Sequence, residues 1–199
     1  MATAVEHLEH HSFESAIASV LSDLNVSFLL KTEQRTTLEA FISKKDVFAV
    51  FPTGIGKSLI YKLAPLVAKQ MGLSETPLVV VISPLVALME DQVKEATKLG
   101  LSALQLGTDN GELIRTSRCQ LIFGSPESWL LSTKWREMLC SKVFRDNHVG
   151  IVVDEVHLTY KWGKAAKGEK AFRESFARLR DTQIYCKTRD TCVGIDHIC

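Results

Sequence analysis

The chain has 199 residues, 46% of them hydrophobic, and a formal net charge of +1. This length and apolar share suit one packed core in a single domain. The near-neutral balance excludes nucleic-acid binding by global basicity, leaving only a local patch for that role, and no apolar run approaches the ~18 residues of a membrane span.

In chain order, Met1 to His11 is polar and carries Glu6 and Glu9, unlike a secretory signal. Apolar Phe13, Ile17, Val20, Leu21 and Leu24 recur at helical spacing and predict an amphipathic helix over Phe13 to Leu24. A second helix is expected over Thr32 to Ile42, opened by Thr32 as N-cap, with Leu38, Phe41 and Ile42 turned inward. Asp46 to Phe51 reads as a buried strand, and Lys57 to about Met71 as the helix after it. Leu78 to Ile82 is a continuous Leu/Val/Ile run, the pattern of a parallel strand covered on both faces. Ser83-Pro84 stops it, and Leu85 to Leu99 returns as a helix closed by Gly100. A short strand near Ala103 to Leu106 and a helical segment near Glu112 follow. Then come a strand over Gln120 to Phe123, helical segments over Glu127 to Cys140, and a strand over Val149 to Val153. Such alternation predicts an α/β fold: a doubly wound, mostly parallel sheet with ligands at the carboxyl ends of its strands.

Two stretches carry chemistry. Phe51-Pro52-Thr53-Gly54-Ile55-Gly56-Lys57-Ser58 follows the strand-formers Val47 to Val50 and leads straight into a helical pattern. A loop of this kind aims backbone N–H groups, a helix dipole and a lysine at phosphates. The strict phosphate-loop pattern has Gly where this chain has Phe51. The physics is retained, because Gly54 and Gly56 remove Cβ atoms where phosphate must come close and Pro52 fixes the entry to the turn. Thr53 and Ile55 complete the loop, and Ile55, standing where a small residue is common, is expected to crowd the nucleotide slightly. Lys57 is the cation for the β and γ phosphates, and Ser58 the hydroxyl for Mg²⁺. Far downstream, Ile151-Val152-Val153-Asp154-Glu155-Val156-His157 is a second hydrophobic strand ending in paired acids, with Asp154 placed to hold Mg²⁺. Adjacent carboxylates at a buried strand end are costly without a cation, which argues against a purely structural reading. The first stretch alone could be an ordinary glycine-rich turn; together, in this order, the two form the halves of a nucleoside-triphosphate site.

With these residues in hand, the chain resembles the first RecA-like domain of a superfamily 2 helicase of the RecQ family. Five segments, spread from Leu30 to Phe176, carry the likeness. Leu30-Lys31-Thr32-Glu33-Gln34 is similar to the family segment in which an aromatic–basic pair precedes a Gln, with Leu30 for the aromatic residue and Lys31 for the usual Arg. The resemblance implies that Gln34 reads the adenine edge, as donor and acceptor together. Lys31 would stack on a base less well than a flat guanidinium, softening the preference for ATP. An exposed polar residue in a first helical turn is the structural alternative for Gln34.

Val81 to Val93 resembles the strand-to-helix corner that touches single-stranded nucleic-acid backbone in related helicases. Ser83 and Pro84 are its candidates, since a free helix N-terminus and a hydroxyl suit phosphate. A strand stop with a buried helix behind it would account for the same residues. Phe123-Gly124-Ser125-Pro126-Glu127 repeats that design and adds Ser125 and Pro126 to the nucleic-acid set, while Glu127 either caps the next helix or holds the loop. Asp154-Glu155-Val156-His157 is similar to the family's acidic box. The likeness implies Asp154 on Mg²⁺ through water, Glu155 as orienter and base for the attacking water, and His157 as the link to the nucleic-acid site. Leu158 to Gly163 resembles the aromatic-rich loop that couples DNA contact to hydrolysis, with Trp162, Lys164 and Arg173 as nucleic-acid contacts. A solvated charged loop with Trp162 packed inward is the alternative.

The resemblance implies a P-loop NTPase domain over residues 28–180, preceded by a helical segment over 1–27 and followed by an atypical tail over 181–199. Nothing after Leu179 resembles the family's Ser-Ala-Thr segment on its next strand. The sheet is therefore expected to be truncated before its last strand or strands, with a poorly ordered tail and an uncovered apolar edge. The implied function is the ATP-binding and hydrolysing domain of a RecQ-like 3'-5' DNA helicase, its polarity resting on the family alone. It would use ATP and Mg²⁺, act on single-stranded or forked DNA, and need a second RecA-like domain for full activity. The alternative is a non-hydrolysing ATP- or DNA-binding remnant or regulatory module. A DEAD-box RNA helicase would share the ATP motifs but not the Ser83 to Val93 segment or Trp162-Gly163. The groups His7, His10, His11 and Cys186, Cys192, His197, Cys199 lack the fixed geometry or spacing of a zinc site. Five cysteines without tight pairing fit a reducing intracellular compartment, nuclear by family implication, with no membrane partner. Oligomeric state is not legible in the sequence.

Overall fold

The apolar runs become the strands of one sheet in a computed structural model, which describes residues 12–26, 29–52, 54–107, 119–155 and 192–198. The strands are β1 (Val47–Pro52), β2 (Leu78–Ile82), β3 (Ala103–Gln105), β4 (Leu121–Gly124), β5 (His148–Asp154) and β6 (Cys192–Ile198). Their spatial order is β1-β6-β5-β2-β4-β3, and every pairing is parallel. Described helices are α1 (Phe13–Asp23), α2 (Thr32–Ile42), α3 (Lys57–Gln70), α4 (Val86–Lys98), α5 (Pro126–Leu131), α6 (Thr133–Leu139) and α7 (Lys142–Asn147). The doubly wound α/β architecture expected from the sequence is present.

Period-two alternation sorts the strand side chains between two cores. Val79 and Val81 of β2, Phe123 of β4 and Val152 of β5 pack with residues of α1 to α4. Val80, Ile82, Ile122, Ile151 and Val153 point the other way, against Trp129, Trp135, Leu139 and Phe144 of α5 to α7. On β1 only one face is covered: Ala49 and Phe51 are buried, whereas Phe48 is 67% and Val50 45% exposed. Lys44, left-handed at φ 60°, closes the turn before β1 and donates its ammonium to the carbonyls of His148 and Val149, tying that turn to the start of β5.

Two local expectations are corrected. The interior sheet position expected to stand empty is filled: β6, from the atypical tail, pairs with β1 on one side and β5 on the other. The sequence Cys-Val-Gly-Ile-Asp-His-Ile hides this strand because Gly and two polar residues interrupt its apolar run, while parallel neighbours on both sides supply its hydrogen bonds. Thr32 is not the N-cap of α2; Lys31 is, and its backbone N–H is accepted by Gln34 Oε1 at 2.9 Å. The helical segments expected over Glu127 to Cys140 are two helices that part at Ser132, whose backbone is extended. The helix expected near Glu112 lies outside the described residues.

Candidate nucleotide site

An all-parallel sheet brings the carboxyl ends of its strands to one edge. The ends of β1, β2, β4 and β5 there surround a cleft of about 170 Å³. Its floor is the loop between β1 and α3. Gly54 and Gly56 both adopt left-handed backbone, φ 77° and 82°, and Gly56 is the N-cap of α3, so the first N–H groups of that helix face the cleft end of the sheet. Ile55 is partly buried and packs against the larger core.

Gln34 holds the loop from behind. It is buried at 4% exposure, and its amide donates to the carbonyls of Ile55 at 2.7 Å and Gly56 at 3.1 Å while its oxygen caps Lys31. The alternative of an exposed polar residue is therefore excluded. In this arrangement both amide hydrogens are engaged by the phosphate loop. Lys31 itself is exposed.

Lys57 and Glu155 face each other across the cleft, Nζ to Oε1 3.2 Å, with side chains 15% and 18% exposed. Glu155 is left-handed, φ 56°, a conformation that an L residue adopts only under local constraint. That turn lifts the chain off the end of β5, where the Glu155 N–H donates to Asp154 Oδ1 at 3.1 Å. Asp154 and Ser58 line the same cleft.

Behind them stands a polar layer that sequence reasoning missed. Tyr61 donates its phenol hydrogen to Gln92 Oε1 of α4 at 3.0 Å and packs edge-on to Phe123. Burial raises its pKa well above the ordinary value, helped by the negative charges of Asp154, Glu95 and Glu155. Lys62, buried at 3% exposure, pairs with Glu95 of α4 and also reaches Ser58. The available signal was a lysine inside the apolar run Leu59-Ile60-Tyr61-Lys62-Leu63-Ala64, one helical turn beyond Ser58.

The nucleic-acid candidates divide. Ser83 is buried at 6% exposure and lines the cleft, its N–H donating to Gly124 O at 3.1 Å; Pro84 is buried beside it. Ser125 is the N-cap of α5, accepting from Ser128 N at 3.2 Å, and Pro126 is the first residue of that helix. The cap is thus Ser125 and not Glu127. Thr53, His157, Trp162, Lys164 and Arg173 lie outside the described residues.

A phosphate loop, a facing acidic pair and a doubly wound parallel sheet define the class: a RecA-like nucleotide-binding domain. The DEAD/DEAH box helicase family matches residues 31–190, and the chain belongs to that family. Its curated relatives are RecQ-family helicases. ATP-dependent DNA helicase Q1 of Rattus norvegicus is 31% identical over 165 residues, 78% of this chain and 25% of that protein. Q1 of Mus musculus is 34% identical over 140 residues, 65% and 20% of the two chains. ATP-dependent DNA helicase RecQ of Synechocystis sp. is 31% identical over 157 residues, 73% and 29%. The chain therefore spans between 20% and 29% of these relatives. Among solved structures, the DUF1998 helicase MrfA bound to DNA and AMPPNP is similar in fold, with TM-score 0.64 and 19% identity over 92% of this chain and 26% of that one. No helix among the described residues is long and apolar enough to cross a membrane.

Proposed function

We propose that this chain is the ATP-binding and hydrolysing domain of a RecQ-type 3'-5' DNA helicase, acting on single-stranded or forked DNA together with a second RecA-like domain. One observation carries the reading: Lys57 and Glu155 stand 3.2 Å apart in a cleft that also holds Ser58 and Asp154. Phosphates arriving at the N-terminus of α3 compete with Glu155 for Lys57. Once Lys57 serves the phosphates, the Glu155 carboxylate can turn to the attacking water, orient it and take its proton. Reading adenine with Gln34 requires its amide to leave the carbonyl of Ile55 or Gly56.

Ser58 and Asp154 are hard oxygen donors on one cleft, a set that fits Mg²⁺, which keeps water and phosphate ligands and needs few from protein. Among the described residues no cluster of three or more His, Cys, Asp or Glu forms a self-sufficient cage. When bound, Mg²⁺ neutralises charge on the β and γ phosphates. The roles of His157 in the acidic box, of Ser83, Pro84, Ser125, Pro126, Trp162, Lys164 and Arg173 on nucleic acid, and a nuclear location belong to this proposal through the family resemblance.

Steady-state ATP hydrolysis with and without single-stranded DNA, beside Lys57→Ala, tests the reading. DNA-stimulated turnover that vanishes in the variant is expected. Nucleotide binding without turnover would replace the motor by a binding module, and stimulation by RNA but not DNA would point to the DEAD-box branch.

A further inference from the structure

Lys62 is the most enclosed cation near the cleft. Only 4% of its side chain is exposed, against 53% for Glu95, whose Oε2 accepts from Nζ at 2.5 Å. The same ammonium lies 3.4 Å from Ser58 Oγ, one helical turn back on the same face of α3. A buried ammonium is tolerated only when compensated, and Glu95 of α4 is the carboxylate that compensates it. Tyr61, on the same helix, donates its hydrogen to Gln92, also of α4. With one lone pair taken by Lys62, the Ser58 oxygen keeps the other for a ligand in the cleft. Glu95 of α4 thus holds, at one remove, the hydroxyl that the nucleotide reading gives to the divalent cation.

Resting on that reading, we propose that Lys62 and Glu95 are positioning residues that set how strongly the Ser58 site takes a divalent cation, with α4 adjusting it through Glu95. A fixed positive charge one hydrogen bond from a metal-binding oxygen repels the metal, and the Glu95 carboxylate offsets that repulsion. Because α4 starts directly after the Ser83-Pro84-Leu85 corner, a shift of that corner moves Glu95 relative to Lys62. Metal affinity then follows the position of α4, while the Lys57 grip on phosphate does not.

The test is the ratio of dissociation constants for a fluorescent ATP analogue in EDTA and in Mg²⁺, measured by equilibrium titration without turnover. Glu95→Gln leaves Lys62 uncompensated and should lower the advantage given by Mg²⁺ by about tenfold. Lys62→Gln should raise that advantage, and Glu95→Gln added to Lys62→Gln should change it by less than about twofold. Should Lys62→Gln not fold, Glu95→Asp, which keeps the charge, should lie between wild type and Glu95→Gln. An unchanged ratio in Glu95→Gln, or the same drop in the Lys62→Gln background, overturns the inference and leaves the nucleotide reading standing. Absence of nucleotide binding by the wild-type chain overturns both.

Discussion

Lys57 Nζ and Glu155 Oε1 meet at 3.2 Å although 98 residues separate them in the chain. The pairing closes the cleft electrostatically: each group is mostly buried, and each satisfies the other until a ligand offers a better partner. Glu155→Gln should therefore bind ATP at least as well as wild type, since Lys57 no longer has an anionic competitor. Single-turnover hydrolysis should fall by about 10²–10⁴ for want of the base. Turnover within tenfold of wild type would remove Glu155 from that role.

Gln34 joins three backbone groups that would otherwise lack this partner. Gln34→Ala should cost about 1–3 kcal/mol in denaturant unfolding and weaken nucleotide binding through a loosened loop. Gln34→Glu keeps an acceptor for Lys31 but sets a carboxylate oxygen against two carbonyls, so it should be no better than alanine. Wild-type stability in Gln34→Glu would contradict the amide orientation.

Gly54 and Gly56 share a left-handed backbone, but their surroundings differ. A Cβ at Gly54 meets nothing within 4 Å, whereas at Gly56 it comes 3.1 Å from Gln34 Nε2. Each change to alanine carries about 1–2 kcal/mol of backbone strain. Gly56→Ala should cost roughly 1 kcal/mol more by crowding Gln34. The difference between the two should shrink in the Gln34→Ala background, as a double-mutant cycle would register.

Cys119 is buried, and burial pushes its thiol from 9.0 up to about 12, against backbone hydrogen bonds that pull it down. The folded chain holds this proton more tightly than the unfolded one, which ionises near 9.0. Its contribution to stability is complete below that pH and is lost as pH rises toward about 12. At pH 8, exposed Cys140 should be alkylated at least ~100-fold faster than Cys119, with mass mapping as the readout.

Strand β6 has parallel neighbours on both sides. Amides of residues 192–198 should exchange slowly with deuterium, and Ile195→Pro should cost about 3 kcal/mol or more. Exchange at the rate of an unstructured peptide would return this segment to the status of a tail.

Much of the fold was legible because its signals are local. The unbroken run of β2, the alternation of helical patterns and the strand-loop-helix around Lys57 each declare themselves within a dozen or so residues. What escaped was non-local. The strand Cys192–Ile198 has no apolar run of its own and exists through its two partners. Tyr61, Lys62, Gln92 and Glu95 read as ordinary helix residues until α3 and α4 pack side by side.

By itself, the sequence determined the chemical vocabulary: a flexible glycine loop, a lysine and hydroxyl at a helix start, and two acids at a strand end. Those follow from residue type and spacing along one element. Tertiary structure decided who meets whom. It set Glu155 on Lys57, turned Gln34 inward to the loop instead of outward to solvent, and gave Lys62 its carboxylate from another helix. The physical reason is that charge pairs and buried hydrogen bonds depend on distances of a few ångströms between segments far apart in the chain, and only packing establishes those.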